Sequence, residues 1–315
     1  MSEEQNDYQK MVEEAEANAS ISIAEEIKSK GLGKATMSRY ANDVQSGKDL
    51  LGWMDIDVTE LPSRGAFYPA DATIMIRSAK VAEIRHFSTL DEGNMLDIDE
   101  KLNAIVKACS QVSSKTGKFT VKDILEEDRF FLLLSIRDLT FPEPENILRV
   151  SHQTKDGKKH DIEIKRDYFQ YFEIPEEVER YYDEERRAYV IKTKSFGTIE
   201  MRPPSIGIME EVTKYIKDRQ MKGLNIDQSL LQVMPYIVTD WRNFTQAKMF
   251  EVEVEMNGWD HRKYSLIYKL AEQMKVGIKP TMMVTIGDAT EEVPIGFRDG
   301  LKSLFIIQDL SGELL

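Results

Sequence analysis

The stretch LPSRGAFYP at residues 61–69 constrains the fold of this chain more than any other. Its two prolines each fix φ and lack a backbone donor, and Gly65 is free to adopt positive φ. A helix or strand is therefore not expected to continue through these residues. We expect ordered structure to begin afresh at Phe67, which predicts a boundary between residues 1–60 and the rest of the chain.

The composition limits the classes of protein to which the chain can belong. Its 315 residues are enough for about two domains of ~150 residues each. The net charge of -13, without a run of lysine and arginine, argues against nucleic-acid binding. No apolar run reaches the ~18 residues of a membrane-spanning helix, and the first residues do not resemble a signal peptide. We therefore expect a cytosolic or virion protein that binds neither nucleic acid nor a membrane.

Residues 1–60 differ from the rest because they are strongly acidic, with 13 acidic and 6 basic side chains. Short apolar stripes at helical spacing, within residues 8–15 and 23–27, give them little area to bury. They are expected to form an acidic arm that is helical or disordered. Two roles stay open for this arm, a flexible leader and a partner-binding segment.

Helical and strand patterns follow one another in blocks after the arm, which favours an α+β fold over a βαβ alternation. Residues 61–145 are predicted to form a strand plus helices, and residues 146–202 a β-hairpin-rich domain. Residues 203–315 are predicted to be mainly helical, with a C-terminal hairpin and an apolar tail. The predicted fold is thus helical, bundle-like segments with small antiparallel β-hairpins, preceded by a partly disordered acidic arm.

Alternating and helical periodicities locate the individual elements. The predicted strands are residues 73–77, 147–151 with 160–164, 188–192 with 198–201, and 282–286 with 292–295. The predicted helices begin at 80, 99, 123, 205, 230, 245 and 260; the second extends to 112, and the one from 230 stops before Pro235. Residues 245–256 also alternate like a strand, but Phe250 and Val254 are four residues apart, which favours a helix.

The sequence contains no catalytic motif, and no catalytic, cofactor-binding or metal-binding residue is predicted. The lone Cys109 lies in an apolar stretch and is expected to be a core residue. His152 and His160 are expected to face each other across a hairpin, but two ligands are too few for a zinc site. The adjacent acids at residues 126–128 are expected to be solvated, because neighbouring helix positions point in different directions. We expect a protein that is not an enzyme.

Five apolar side chains are candidates for a protein interface. Trp241 and Trp259 lie at predicted helix edges, where a tryptophan either covers the rim of a core or contacts a partner. Leu310, Leu314 and Leu315 belong to an apolar tail that needs a surface to lie on. Earlier in this tail, residues 305–307 are expected to pack into the chain's own core.

Several short strings occur in a fixed order along the chain. They are LPSRGAFYP at 61–69, HFSTL at 86–90, DRFFL at 128–132, IRDLTF at 136–141, PPSIG at 203–207, GWD at 258–260 and GLKSLF at 300–305. In this order they resemble the baseplate hub assembly proteins of T-even-like contractile-tailed bacteriophages. The resemblance covers most of the chain after residue 60.

The resemblance implies a role in building the central baseplate hub through contacts with other tail or hub proteins. Related proteins often carry Cys-x-x-Cys pairs near the two hairpins, whereas this chain has no cysteine there. No zinc is therefore expected, and the hairpins depend on packing and turn chemistry. The resemblance leaves two locations open, the host cytoplasm during assembly and the virion tail baseplate, and it leaves open whether the protein forms homo-oligomers.

A function of a different class also fits the sequence. The acidic arm is typical of segments that bind basic surfaces. The alternative is therefore a phage accessory factor that binds a replication or transcription protein through residues 1–60.

Overall fold

The computed structural model describes residues 52–141, 149–153, 157–164, 169–238, 240–286, 289–297 and 300–305. Within these residues the fold is α+β, with eight helices and small antiparallel sheets of two or three strands, as the sequence predicts. Residues 1–51 of the predicted arm and the tail candidates Leu310, Leu314 and Leu315 lie outside the described residues.

The elements follow the block order that the sequence predicts. The helices are α1 (Val81–Ser88), α2 (Met95–Cys109), α3 (Glu126–Thr140), α4 (Glu176–Glu179), α5 (Ile206–Met221), α6 (Gln228–Ile237), α7 (Gln246–Asn257) and α8 (His261–Gln273). The strands are β1 (Met54–Ile56), β2 (Thr73–Ile76), β3 (Ser110–Ser113), β4 (Arg149–Gln153), β5 (Lys159–Glu163), β6 (Tyr182–Asp183), β7 (Ala188–Thr193), β8 (Gly197–Met201), β9 (Thr281–Ile286) and β10 (Ala289–Pro294).

All strand pairs of the described residues are antiparallel. The sheet β1-β2-β3 and the sheet β6-β7-β8 have three strands each, and β4-β5 and β9-β10 are two-stranded hairpins. In the β4-β5 register His152 lies opposite His160, which confirms the predicted hairpin. The helical interpretation of residues 245–256 is confirmed by α7.

The structure corrects the position of the first boundary. β1 lies within residues 1–60 and pairs with β2, so ordered structure begins before the LPSRGAFYP string rather than at Phe67. Sequence reasoning missed β1 because a three-residue strand is too short to show a period, and its partner is about twenty residues away. The predicted helix at residues 99–112 likewise ends at Cys109, where the chain continues as β3 and pairs with β2.

Helix α6 also departs from the prediction, because it continues through Pro235 to Ile237 instead of stopping before the proline. A proline inside a helix removes one backbone hydrogen bond. Pro235 is in the last turn of α6, and the following carbonyl, that of Tyr236, accepts a hydrogen bond from the Arg202 N–H (2.8 Å). The end of α6 is therefore attached to the chain that leaves β8.

One hydrophobic cluster joins residues from β1 to Phe305 across the described part of the chain. Helix α3 is its centre, since residues on every side of this helix are buried. They are Asp128, Arg129, Leu132, Leu133, Leu134, Ser135, Ile136, Arg137 and Leu139. A helix that is buried all round has the other elements packed against it on all sides.

The LPSRGAFYP string is fixed to α3 by the buried carboxyl group of Asp128. The Ser63 N–H donates to Asp128 Oδ1 (2.9 Å), and the hydroxyls of Ser63 and Tyr68 donate to Oδ2 (2.5 Å each). The hydroxyl of Tyr68 in turn accepts from the Leu125 N–H (2.9 Å). Asp128 is therefore a buried anchor, and the expectation that the acids at 126–128 are solvated is wrong for it.

Burial dominates the ionisation of this network. It raises the pKa of Asp128, although the donors from Ser63 and Tyr68 act in the opposite direction. Burial and the neighbouring Asp128 raise the pKa of Tyr68 well above its usual value, so its hydroxyl keeps the proton that it donates.

Removing the Tyr68 hydroxyl tests this anchor. We expect Tyr68→Phe to lower the free energy of unfolding by about 1–3 kcal/mol, because Leu125 loses its acceptor and Asp128 loses a donor. Tyr181→Phe is the matched control, because the Tyr181 hydroxyl only accepts from the exposed Arg180, and we expect it to change stability by less than about 0.5 kcal/mol. Urea denaturation measures both variants. Equal effects of the two substitutions would contradict the anchor.

Candidate protein-interaction surface

Trp241 is partly buried and contacts several residues of its own chain. Its indole N–H donates to Asp123 Oδ1 (2.9 Å), and its ring packs on Gly207 at the start of α5. The Lys122 ammonium lies 4.6 Å from the ring centroid, and the guanidinium of Arg242 lies 4.8 Å from it. These contacts fit the alternative, a tryptophan at the rim of the core, and the interface role of Trp241 stays a prediction.

The contact between Gly207 and Trp241 leaves no room for a larger residue. A Cβ atom at position 207 would lie 2.6 Å from Trp241 Cγ. Position 207 is helical, so alanine would be preferred there if the ring were absent. This close approach fixes α5 against the turn that precedes α7.

A glycine substitution measures the importance of this contact. We expect Gly207→Ala to destabilise the protein by about 1–3 kcal/mol, because the added methyl displaces the indole ring. Gly117→Ala is the matched control, since a Cβ atom there meets nothing within 4 Å. Thermal unfolding followed by tryptophan fluorescence compares the two variants. A stabilising effect of Gly207→Ala would contradict the described packing.

Trp259 lies between α7 and α8 and is partly exposed, unlike a core residue. Its indole N–H donates to Glu255 Oε1 (3.3 Å), and the Lys263 ammonium lies 4.2 Å from its ring centroid. The next residue, Asp260, accepts from the Lys263 N–H (2.8 Å) and begins α8, as the sequence predicts. These contacts hold the ring at the junction of the two helices.

Trp259 forms one wall of a cleft of about 460 Å³ between β8 and the helices α6, α7 and α8. The buried apolar side chains of Ile199, Val252 and Ile267 contribute to its lining. The charged residues that line it are Glu200, Asp240, Lys248, Glu255 and Lys263. We name this feature the Trp259 cleft.

Helix α7 also exposes two large apolar side chains on the side away from the core. Phe250 is 60% exposed and Val254 is 56% exposed, whereas Met249, Val252 and Met256 are buried. We name Phe250 and Val254 the outer α7 face. A helix with one apolar face in the core and a second in solvent has a surface that a partner can cover.

The rotation of α7 is fixed by Glu253, one residue from the outer α7 face. The Tyr215 hydroxyl of α5 donates to Glu253 Oε2 (2.8 Å), and the guanidinium of Arg219 bonds to the other carboxylate oxygen. Burial, together with the hydrogen bond to Glu253, raises the pKa of Tyr215, which keeps its hydroxyl a donor. The exposure of Phe250 and Val254 is therefore built into the packing of α5 against α7.

The five predicted interface residues differ in where the structure places them. It places Trp259 in a cleft and Trp241 in an internal contact, and the three tail leucines lie outside the described residues. Sequence reasoning missed the outer α7 face, because the spacing of Phe250 and Val254 indicated a helix but not which side of it was buried. The sequence feature that could have revealed this face is the presence of apolar residues on opposite sides of α7.

Other chemistry-bearing residues have structural partners. His152 Nε2 lies 2.8 Å from Glu291 Oε2 and links the β4-β5 and β9-β10 hairpins. Cys109 is buried, and burial raises the pKa of its thiol to about 12. In the described ranges there is no cluster of three side chains suited to hold a metal ion. The described helices also include none with the length and hydropathy to cross a membrane.

Comparisons with protein-family models, with curated proteins and with solved structures give no match to this chain.

The exposure of the outer α7 face predicts how substitutions there affect folding. We expect Phe250→Ser and Val254→Ser each to change the free energy of unfolding by less than about 0.5 kcal/mol. Val252→Ser, on the buried side of the same helix, should cost about 1–3 kcal/mol because it buries a hydroxyl. Urea denaturation of the three variants measures their free energies of unfolding. A large loss from Phe250→Ser would mean that the outer α7 face is covered within the protein.

Proposed function

We propose that this protein contributes to the assembly or structure of a phage baseplate hub, through protein–protein contacts and without catalysis. The observation that carries the proposal is the ordered set of strings that resembles the hub assembly proteins. Its partners would be other tail or hub proteins, met in the host cytoplasm during assembly or in the tail baseplate of the virion.

The positions of these strings in the fold support the proposal. Ser63 and Tyr68 of LPSRGAFYP bond to Asp128 of DRFFL. Phe87 of HFSTL packs edge-on against Phe305 of GLKSLF, with ring centroids 5.2 Å apart. Strings that are far apart in the sequence thus contact one another in the fold. If each string occurred by chance, the contacts between them would have to be due to chance as well.

Two further strings lead to the candidate surface. Gly207 of PPSIG packs on Trp241, and Trp259 of GWD lines the Trp259 cleft. The outer α7 face lies on the helix that these contacts position. A partner that covers Phe250 and Val254 would bury apolar area of the kind that contributes most to interface stability.

Co-purification with hub proteins tests the proposal. The tagged protein is expressed with the hub proteins of the phage that encodes it, and the captured chains are identified by mass spectrometry. We expect hub proteins to be captured. The double variant with Phe250→Ser and Val254→Ser should weaken capture about tenfold, which corresponds to a loss of about 1.4 kcal/mol in binding free energy. The matched control is Val81→Ser with Met95→Ser, since these residues are 65% and 68% exposed on other helices.

The same experiment separates the two functions that the sequence left open. Capture of a polymerase, helicase or transcription protein in place of hub proteins, lost on deleting residues 1–51, would contradict the hub proposal and favour the accessory factor. Mass spectrometry of purified tails then distinguishes a component of the virion from a factor that acts only in the cytoplasm.

A further inference from the structure

A second cleft, separate from the Trp259 cleft, lies at the start of α3. Its volume of about 420 Å³ falls in the range of small-molecule sites, roughly 300–1,000 Å³. Its walls are mostly apolar, and they include Phe130, Leu133, Phe172, Ile278, Ile295 and Phe297. We name this feature the α3 cleft.

The α3 cleft contains an acid, one oxygen of which has no partner in the described fold. Glu127 lines the cleft, and its Oε2 atom is buried with no hydrogen-bond partner among the described residues. Burial, reinforced by the neighbouring Glu126, raises the pKa of Glu127 well above its usual range. A buried polar atom without a partner costs free energy, so its retention in an apolar wall calls for an explanation.

The backbone holds Glu127 in this position. Gly277 has a φ of +115°, and a Cβ atom there would lie 2.9 Å from the Glu127 Cβ. The Gly277 carbonyl accepts from the Phe172 N–H (3.0 Å), which ties the segment after α8 to the chain before α4. The backbone contacts of Gly277 therefore position the wall of the α3 cleft next to Glu127.

Two cations close to Glu127 are engaged with other acids. The guanidinium of Arg129 donates to Asn103 (2.8 Å), Asp99 (2.9 Å) and Glu126 (3.2 Å). The Lys275 ammonium pairs with Glu272 at 2.8 Å. The titratable groups that surround Glu127 or line the cleft are Glu126, Asp128, Arg129, Tyr236, Lys275 and Lys279.

We propose that the α3 cleft binds an ammonium group carried on an apolar chain, either a free alkylamine or a lysine side chain of a partner. The ammonium would give the Glu127 carboxylate the donor that it lacks. The rings of Phe130, Phe172 and Phe297 would pack on the methylene chain, and aromatic faces also attract a cation. This inference does not depend on the hub function.

Binding of n-hexylammonium tests the inference, with 1-hexanol as the neutral control of equal length. Methyl NMR spectra of Leu133, Val276 and Ile278 report on the walls of the cleft. We expect saturable shifts with hexylammonium and an affinity about tenfold lower in Glu127→Gln, whereas hexanol binds both proteins alike. Absence of saturable shifts, or equal hexylammonium affinity in Glu127→Gln, would overturn the proposal.

A second measurement uses the unchanged protein, so that it stands even if Glu127→Gln folds poorly. A bound cation favours the ionised carboxyl, so saturating hexylammonium should lower the pKa of Glu127, followed through its carboxyl carbon. An unchanged titration would overturn the proposal. Nα-acetyl-lysine methylamide and cadaverine then distinguish the sources: tighter binding of the capped lysine assigns the ammonium to a protein partner, and tighter binding of cadaverine to a free amine.

Discussion

The hydrogen bonds to the buried carboxyl of Asp128 determine how the LPSRGAFYP string packs on the rest of the fold. The LPSRGAFYP string cannot continue a helix or strand, so its position has to come from tertiary contacts. Ser63 and Tyr68 supply them from 65 and 60 residues away. Tyr68 also satisfies the Leu125 N–H at the start of α3. A segment without helix or strand is therefore held against α3 by hydrogen bonds.

The candidate surface depends on this anchor through a chain of contacts. Next to Leu125, the Glu126 N–H donates to the Pro204 carbonyl (3.0 Å) and the Ile206 N–H donates to the Ile124 carbonyl (2.8 Å). The beginning of α5 is thereby joined to the beginning of α3. Helix α5 then holds Glu253 through Tyr215 and Arg219, which turns Phe250 and Val254 outward. The exposed apolar face is in this way a consequence of buried polar contacts.

Local patterns allowed the hairpins and most helices to be predicted, because their period and their turn and capping residues lie within a few positions. The missing features all depend on distant partners. β1 depends on its pairing with β2, and the position of the Trp241 ring depends on the absence of a side chain at Gly207. Asp128 resembles the adjacent acids Glu126 and Glu127 in the sequence, and its contacts with the distant Ser63 and Tyr68 could not be predicted from it. Fold class could thus be predicted, whereas the candidate site could be predicted only in part, through Trp259.

The packing of Phe305 on Phe87 has a consequence for how the protein is made. The Lys302 N–H also donates to Glu92 (2.9 Å), so two contacts link α1 and the turn that follows it to residues 302–305. Ribosomes add about 5–20 residues per second, so α1 emerges on the order of 10–45 s before Phe305 does. During that time the face of α1 that contacts Phe305 is open to chaperones and to neighbouring nascent chains. Slowing of translation between α1 and Phe305 would lengthen this interval.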